Sequence, residues 1–481
     1  MRHEKYWLVV LGIVTWAMIS SVIASAAPGQ SAAKKPRPLV GAIRWDAWVG
    51  DTNPGVGLPV EKALGPHQFH DRIPFFGKET GPDSVEAREL TQDVMDQEIR
   101  YAHDAGIDYW AFDWYNDESG LAIARRLYLS SSIKSLVKYC FVMQDTYPSN
   151  LFPAMVEKYF KDPDYLKVLD NRPVFYLFSD KYTPEDFASL ARLSRAAGLG
   201  DPYVIKCETG KGGGHTAGAA FDGDMGSYWQ AATGAYSGEW LQVDFGANTT
   251  FDKAVLAELD GHTSAYEIRV WDGSQWQVAF AGTTIATRKA PTSVTFAPVT
   301  GTRARLCFLS GTQQPEICEF QIYNSAAGSA NLALDKKASA SSTGFHYDAI
   351  SHYVTGAIGG APFTAVMSNS EERWNRDKMF GLDVVPNVTA GADPRPRLVN
   401  PVPWARYYAD HWAQEPTPGE VGAHVKQAMD WIDANPGADP SRLVLIYAWN
   451  EFDEGGWICP TLLHGSDRLD AIHKVLEAYG K

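Results

Sequence analysis

From Leu39 onward the chain alternates short apolar, β-rich runs with amphipathic stretches that mix charged and apolar residues. That rhythm is the mark of a parallel sheet wrapped by helices, because strands buried on both faces read as unbroken apolar runs. Five such runs come first: LVGAIRW (39–45), IDYWAFDWY (107–115), KYCFVMQ (138–144), PVFYLF (173–178) and PYVIKCE (202–208). After an interruption three more follow: DAISHYV (348–354), LDVVPNV (382–388) and RLVLIYAW (442–449). Helices are predicted between them at 84–105, 184–197 and 419–435. Eight β/α pairs predict an α/β fold, a (β/α)8 TIM barrel assembled from residues 37–208 and 343–481.

The interruption, residues 209–342, has another texture. Gly, Ser and Thr rise, helical periodicity vanishes, and alternating runs such as EWLQVDFG and AYEIRVW take over. It is predicted as a separate all-β domain inserted after strand five and entered through the flexible stretch Gly210-Lys211-Gly212-Gly213-Gly214. At the other end of the chain, Arg2-His3-Glu4-Lys5, the apolar run from Tyr6 to Ala24 and the small residues Ala24-Ser25-Ala26 predict a cleaved export signal over residues 1–26. An uncleaved anchor is the rival reading, since the run approaches spanning length. The expected protein is exported, periplasmic or extracellular, with no stable membrane insertion once the signal is removed.

Charge and composition narrow the partners. The formal net charge is −14 and no Lys/Arg block occurs, so the footprint that nucleic acid needs is missing. Trp, Tyr and Phe make up 12% of the chain, and ring faces suit the C–H faces of carbohydrate, the expected partner. Five cysteines show no metal-binding spacing; Cys307 and Cys318 read either as a disulfide or as two buried thiols.

The chemistry concentrates where the last apolar run ends, in YAWNEFDEGGWICP (447–460). In a parallel barrel the C-terminal strand ends meet at one face, so Glu451 and Glu454 reach the mouth together. A carboxylic acid and a carboxylate at one pocket are what glycoside cleavage requires. The spacing alone reads equally as solvated acids at the start of a loop or helix. Asn450 adds a donor and an acceptor, Gly455-Gly456 allows close approach of a ligand, and Trp449 offers a stacking face. At the other strand ends Trp45, Asp46, Trp48, Asp113, Trp114, Tyr115, Gln144 and Tyr353, with His70 and Arg72 in the first loop, are candidate sugar contacts. Helix capping by Asp113 and core packing of the tryptophans are the alternatives.

Two resemblances extend this reading. WNEFDEGGWICP resembles the NEWxEG signature of glycoside hydrolase family 99 and the related WbsX-like group, supported by HDRIPFFG (70–77), GIDYWAFDWY (106–115), NRPVFYLF (171–178), YDAISHY (347–353) and VVPNVTAGADPRPR (384–397). The resemblance implies a retaining, endo-acting α-mannosidase-type enzyme with no catalytic cofactor. In it Glu451 would deprotonate the substrate's 2-hydroxyl and Glu454 would be the general acid/base. Phe452 stands where the family usually has Trp, and Gly456-Trp457-Ile458-Cys459 replaces a more polar ending, which leaves the sugar open. A non-catalytic glycan-binding or adhesion protein and a surface-polysaccharide glycosyltransferase are the alternative functions. The insert resembles a discoidin (F5/8 type C) domain, the fold of family 32 carbohydrate-binding modules, through AAFDGDMGSYWQA, EWLQVDFG, YEIRVWDGSQWQVA, RARLCF and EICEFQIY. The segment that usually opens such a domain, NLALDKKASASS, comes last here (331–342), so a circularly permuted sandwich is expected. The resemblance implies a structural Ca²⁺ held by Asp222, Asp224, Ser227 and Glu319, although Asp-Gly-Asp is also an ordinary turn. It also makes His262, Trp276 and Arg288 candidate sugar contacts, with a purely architectural module as the alternative.

Overall fold

The computed structural model describes residues 36–144, 149–178, 182–208, 215–232, 234–344, 347–378 and 383–479. The export signal and the Gly210–Gly214 stretch lie outside the described residues.

Parallel strands β1 (Leu39–Arg44), β2 (Tyr109–Asp113), β3 (Lys138–Met143), β4 (Arg172–Leu177), β5 (Tyr203–Glu208), β6 (Ala349–His352), β7 (Asp383–Val384), β8 (Asn387–Thr389) and β9 (Leu443–Tyr447) form one curled sheet. Its order is β7-β6-β5-β4-β3-β2-β1-β9-β8, so β1 lies between β2 and β9, with Leu39 opposite Leu443 and Gly41 opposite Tyr109. The run predicted as strand seven is split. Asp383–Val384 pairs with β6 and Asn387–Thr389 with β9, while between them the Val385 N–H donates to Ile350 and the Pro386 carbonyl accepts from Leu445. Proline cannot donate to a ladder, which accounts for the break in strand pattern at 386.

Nearly every residue of these strands is buried, as a sheet covered on both faces requires. The interior is tied across: the Tyr109 hydroxyl on β2 donates to the Val444 carbonyl on β9 at 3.0 Å and lies 3.0 Å from the Tyr176 hydroxyl on β4. Helices pack outside. The helix Pro418–Ala434 starts at a capping box in which Thr417 Oγ1 accepts from the Glu420 N–H and Glu420 accepts from the Thr417 N–H. The predicted 84–105 helix is shorter. Ser84–Ala87 pairs with Gly77–Gly81 as a hairpin, and the helix runs Gln92–Ala105 behind the N-cap Thr91.

The insert is an all-β sandwich with its own core. Two long strands, Trp240–Glu258 and Thr292–Gly311, shift register midway and serve two groups of neighbours. Leu241, Val243, Leu256, Ile268, Leu306, Phe320 and Trp229 fill the interior, alternating with half-exposed residues on the outer face. Lys337–Ala340, near the C-terminal end of the insert, pairs antiparallel with Leu241–Asp244. All five cysteines are unpaired and buried; Cys307 and Cys318 are separate thiols rather than a disulfide.

Candidate functional site

Beyond β9 the chain folds back in a tight hairpin. Asn450–Glu451 pairs with Gly456–Trp457, and a single 3-10 turn, Phe452–Glu454, joins them. In that turn residues three apart eclipse, which brings the Glu451 and Glu454 side chains to one side. Asp453 between them is fully buried and grips Arg397 with both oxygens, Nε at 2.6 Å and Nη2 at 2.9 Å. Anchored there, Arg397 extends Nη1 to Glu454 and Nη2 to Glu451 at 3.4 Å. The two glutamates therefore converge on one guanidinium at the C-terminal strand ends.

Their settings differ. Glu454 Oε1 also accepts from the Tyr407 hydroxyl at 2.5 Å, and Oε2 from Tyr447, so three donors surround this half-buried carboxylate. Glu451 is buried, with Tyr353 at 3.2 Å on Oε1. Burial, and then the neighbouring Glu454, push the Glu451 carboxyl well above the usual range, with Arg397 pulling the other way. The same Tyr353 hydroxyl lies 3.2 Å from Asp113 Oδ2, to which the Gln144 amide donates at 3.0 Å, so its one proton lies between the two acids. Among the described residues Asp113 Oδ1 is buried without a partner, and burial raises this carboxyl strongly as well. Trp45 lies along Arg397 at 5.1 Å, edge-on to Trp404, and its indole N–H donates to the Tyr115 hydroxyl at 2.9 Å.

Glu451, Glu454, Asp113, Tyr353, Gln144, Trp45 and Tyr115 are thus brought together. Asp46 and Asn450 lie one layer down. The Asn450 amide donates to Asp46 at 2.9 Å, and Asp46 belongs to a buried cluster in which Arg44 faces Asp46, Glu89 and Glu98.

Five expected contacts are placed elsewhere. Trp449 is fully buried against Trp110 with its N–H on Glu98 at 2.7 Å, and Trp48 is fully buried beneath Phe452. Trp114 is buried with Arg125 over its ring. His70 is engaged within its own loop by Gly65 and Glu79, and Arg72 bonds Asp393 and stacks over Trp457. Large apolar surface drives the tryptophans inward even at strand ends. Gly455 and Gly456 also have a different use from the one expected. Gly455 has φ +84°, and a Cβ there would sit 2.7 Å from the Asp393 N atom; a Cβ on Gly391 would sit 2.0 Å from the Gly455 carbonyl. The glycines admit the 391–393 backbone, not a ligand, and so bring Arg397 within reach.

Arg397, Tyr407, Tyr447 and Asp453 went unrecognised as site residues in the sequence. Arg397 ends the quoted segment VVPNVTAGADPRPR, but no spacing rule links it to Glu451. Beside Glu454 opens a cleft of about 710 Å³, lined by Val354, Ile358, Arg373, Arg406, Tyr407 and Tyr408 among others. A second cleft, about 570 Å³ between Arg172, Phe187 and Asp348, opens at the N-terminal strand ends, away from the carboxylate pair.

In the insert, Asp222 accepts from the Ser227 hydroxyl at 2.8 Å and from the Asp224 N–H at 2.9 Å, while Asp224 turns to the Gly226 N–H. Glu319 accepts from the Gly223 N–H at 2.7 Å, and its Oε2 is buried without a partner among the described residues. Burial, and then the adjacent Asp222 carboxylate, push Glu319 up to about 8; burial carries Asp222 to about 6, with Arg376 pulling it down. Hard, mutually repelling oxygen donors of this kind fit Ca²⁺. Arg305, sandwiched between Trp240 at 3.9 Å and Trp276 at 4.1 Å, occupies the Trp276 ring, and Arg288 donates to the Met225 carbonyl at 3.2 Å. The His262 side chain clusters with Asp260 and Glu316.

Residues 204–320 match the F5/8 type C domain family model; the match begins within β5 and continues through most of the sandwich. Solved structures resemble this part of the chain. Chitosan-binding module 2 from a Paenibacillus sp. IK-5 chitosanase/glucanase, in complex with chitotriose, is 25% identical, covering 23% of this chain and 87% of that one, at a TM-score of 0.22. The family 32 module of AlyQ, in complex with 4,5-unsaturated mannuronic acid, is 21% identical over 23% and 88% (TM-score 0.21). That of C. perfringens NanJ, in complex with galactose, is 19% identical over 22% and 84% (TM-score 0.21). No match to a curated protein was found. By the family model, residues 204–320 form an F5/8 type C (discoidin) domain. Among the described residues no helix is long and apolar enough to cross a membrane.

Proposed function

We propose that the protein is an exported glycoside hydrolase in which the curled sheet closes as a (β/α)8 barrel around an acid–carboxylate pair, Glu451 and Glu454. The observation that carries this reading is their convergence on Arg397 beside an open cleft at the C-terminal strand ends. Closure of the barrel is supported by residues 383–389 pairing with β6 at one end and β9 at the other.

In this proposal Glu451, buried and poorly supplied with donors, holds the proton and delivers it to the leaving oxygen. Glu454, with three donors fixing its oxygens, acts as the carboxylate that assists attack at the anomeric carbon. That reverses the roles the family resemblance implies. Asp113, Tyr353 and Gln144 would hold sugar hydroxyls, and Trp45 with Trp404 would stack on a ring. The insert would act as a circularly permuted glycan-binding module, supported by the pairing of Lys337–Ala340 with Leu241–Asp244. Asp222, Ser227 and Glu319 would hold a Ca²⁺ that neutralises their buried charge.

The test is to incubate the purified chain with α-mannan and a panel of other glycans, alongside Glu451→Gln and Glu454→Gln. Products from the wild type, falling by about 10²- to 10⁴-fold in each variant, are expected. Binding without products in all three proteins would replace this reading with the adhesion protein.

A further inference from the structure

The cleft beside Glu454 has an unusual charge for an acidic protein. Of its lining side chains Arg373, Arg406 and His411 are basic and Glu454 alone is acidic, and Glu454 is already paired with Arg397. Several arginines elsewhere face carboxylates, Arg37 with Asp108, Arg172 with Asp348 and Arg195 with Asp201. Arg373 instead reaches His352 Nδ1 at 3.3 Å and the Val354 carbonyl at 3.4 Å, and among the described residues no carboxylate lies within 4.0 Å of it. Asp377, whose charge Arg373 feels, is engaged by His352 Nε2 at 2.5 Å and faces Arg376 at 3.7 Å. Arg406 is exposed and, among the described residues, has neither an ion pair nor a side-chain hydrogen bond. Tyr408 stands beside it, 68% exposed.

Guanidinium groups only donate, so two of them lining one cleft without a carboxylate partner ask for a ligand rich in acceptors. We propose that this cleft receives a glycan bearing an anionic substituent, a carboxylate, sulfate or phosphate, which Arg406 meets at the rim and Arg373 deeper in. Tyr407 and Tyr408 then bracket the sugar ring that carries it. This rests on the cleft being the substrate site of the proposed hydrolase.

The test uses the full chain and four probes: polygalacturonate, alginate, chondroitin sulfate and phosphomannan. Each is paired with its carboxyl-reduced, desulfated or dephosphorylated form. Affinity is read by calorimetry, and products are read separately. One anionic probe is expected to bind at least about tenfold more tightly than its neutral counterpart, and Arg406→Ala should remove about that factor with the melting temperature unchanged. Arg373→Gln should act in the same direction. Which pair shows the preference tells carboxylate from sulfate from phosphate. Equal binding of charged and neutral forms, no binding of any probe, or a preference that survives Arg406→Ala overturns the proposal, the last because the insert is then the anion binder. An Arg406-dependent preference without product from any glycan keeps this proposal and rejects the hydrolase. Product from a neutral glycan, unaffected by Arg406→Ala, does the reverse.

Discussion

Glu319→Gln is the most informative single change in the insert. The wild-type side chain is fully buried, its Oε1 accepts from the Gly223 N–H, and its Oε2 has no partner among the described residues. Its carboxyl rises from 4.5 to about 8, through burial first and the Asp222 charge second. Because the folded value lies above the unfolded one, the folded chain binds the proton more tightly. The associated stability is complete below about pH 4.5 and is lost as pH rises through about 8. At about 1.4 kcal/mol per unit, the span is worth about 5 kcal/mol at most, and Asp222, raised to about 6, adds to it with the same sign. Glutamine keeps the size and the acceptor for Gly223 and removes the titration. In chelator, scanning calorimetry at pH 5, 6.5 and 8 should show the wild-type insert losing stability steeply and the variant losing only the smaller part that Asp222 carries, so that the variant is the more stable protein at pH 8. Added Ca²⁺ should raise the wild-type transition at pH 8 far more than that of the variant. Parallel pH curves for the two proteins would refute the reasoning, since they would mean that this carboxyl does not titrate between its folded and unfolded values.

Three further outcomes are expected. Arg44→Met leaves Asp46, Glu89 and Glu98 buried without their cation, and should lower unfolding free energy by about 3–5 kcal/mol in a denaturant titration. Arg397→Gln strips the fully buried Asp453 of its two-pronged partner and should cost about 3 kcal/mol while abolishing turnover; an active, fully stable variant would count against the clamp. If Glu451 supplies the proton, kcat should hold from acid to near-neutral pH and fall as pH rises through its raised folded value, a limb absent from the residual activity of Glu451→Gln.

Much of the architecture was legible because buried parallel strands have no choice of pattern. Leu443-Val444-Leu445-Ile446 could hardly be anything but an interior strand, and its end placed Glu451 and Glu454. What escaped depends on chain segments meeting. Val85 and Ala87 are buried and Glu86 half-buried because Gly77–Gly81 pairs alongside them, which no local helical period could announce. Trp45 and Trp449 look alike as strand-end tryptophans, yet one borders Arg397 and the other is locked to Glu98, a residue from the helix Gln92–Ala105. Arg397 was hidden for the same reason: its role is set by Asp453, from a loop far along the chain.

The insert bears on how the chain assembles. Ile205 on β5 must find Ala349 on β6 across the whole sandwich sequence. The folded insert brings its described ends together: the Gln230 N–H donates to the His215 carbonyl, the Gly344 N–H to the Gln230 carbonyl and the Trp229 indole to the Ser342 carbonyl. Once it has folded, the gap that β6 must bridge is that of a short loop, a saving on the order of 1–2 kcal/mol in closure entropy. A module that folds first would then deliver the second half of the sheet to the waiting edge of the first, turning a distant pairing into a near one.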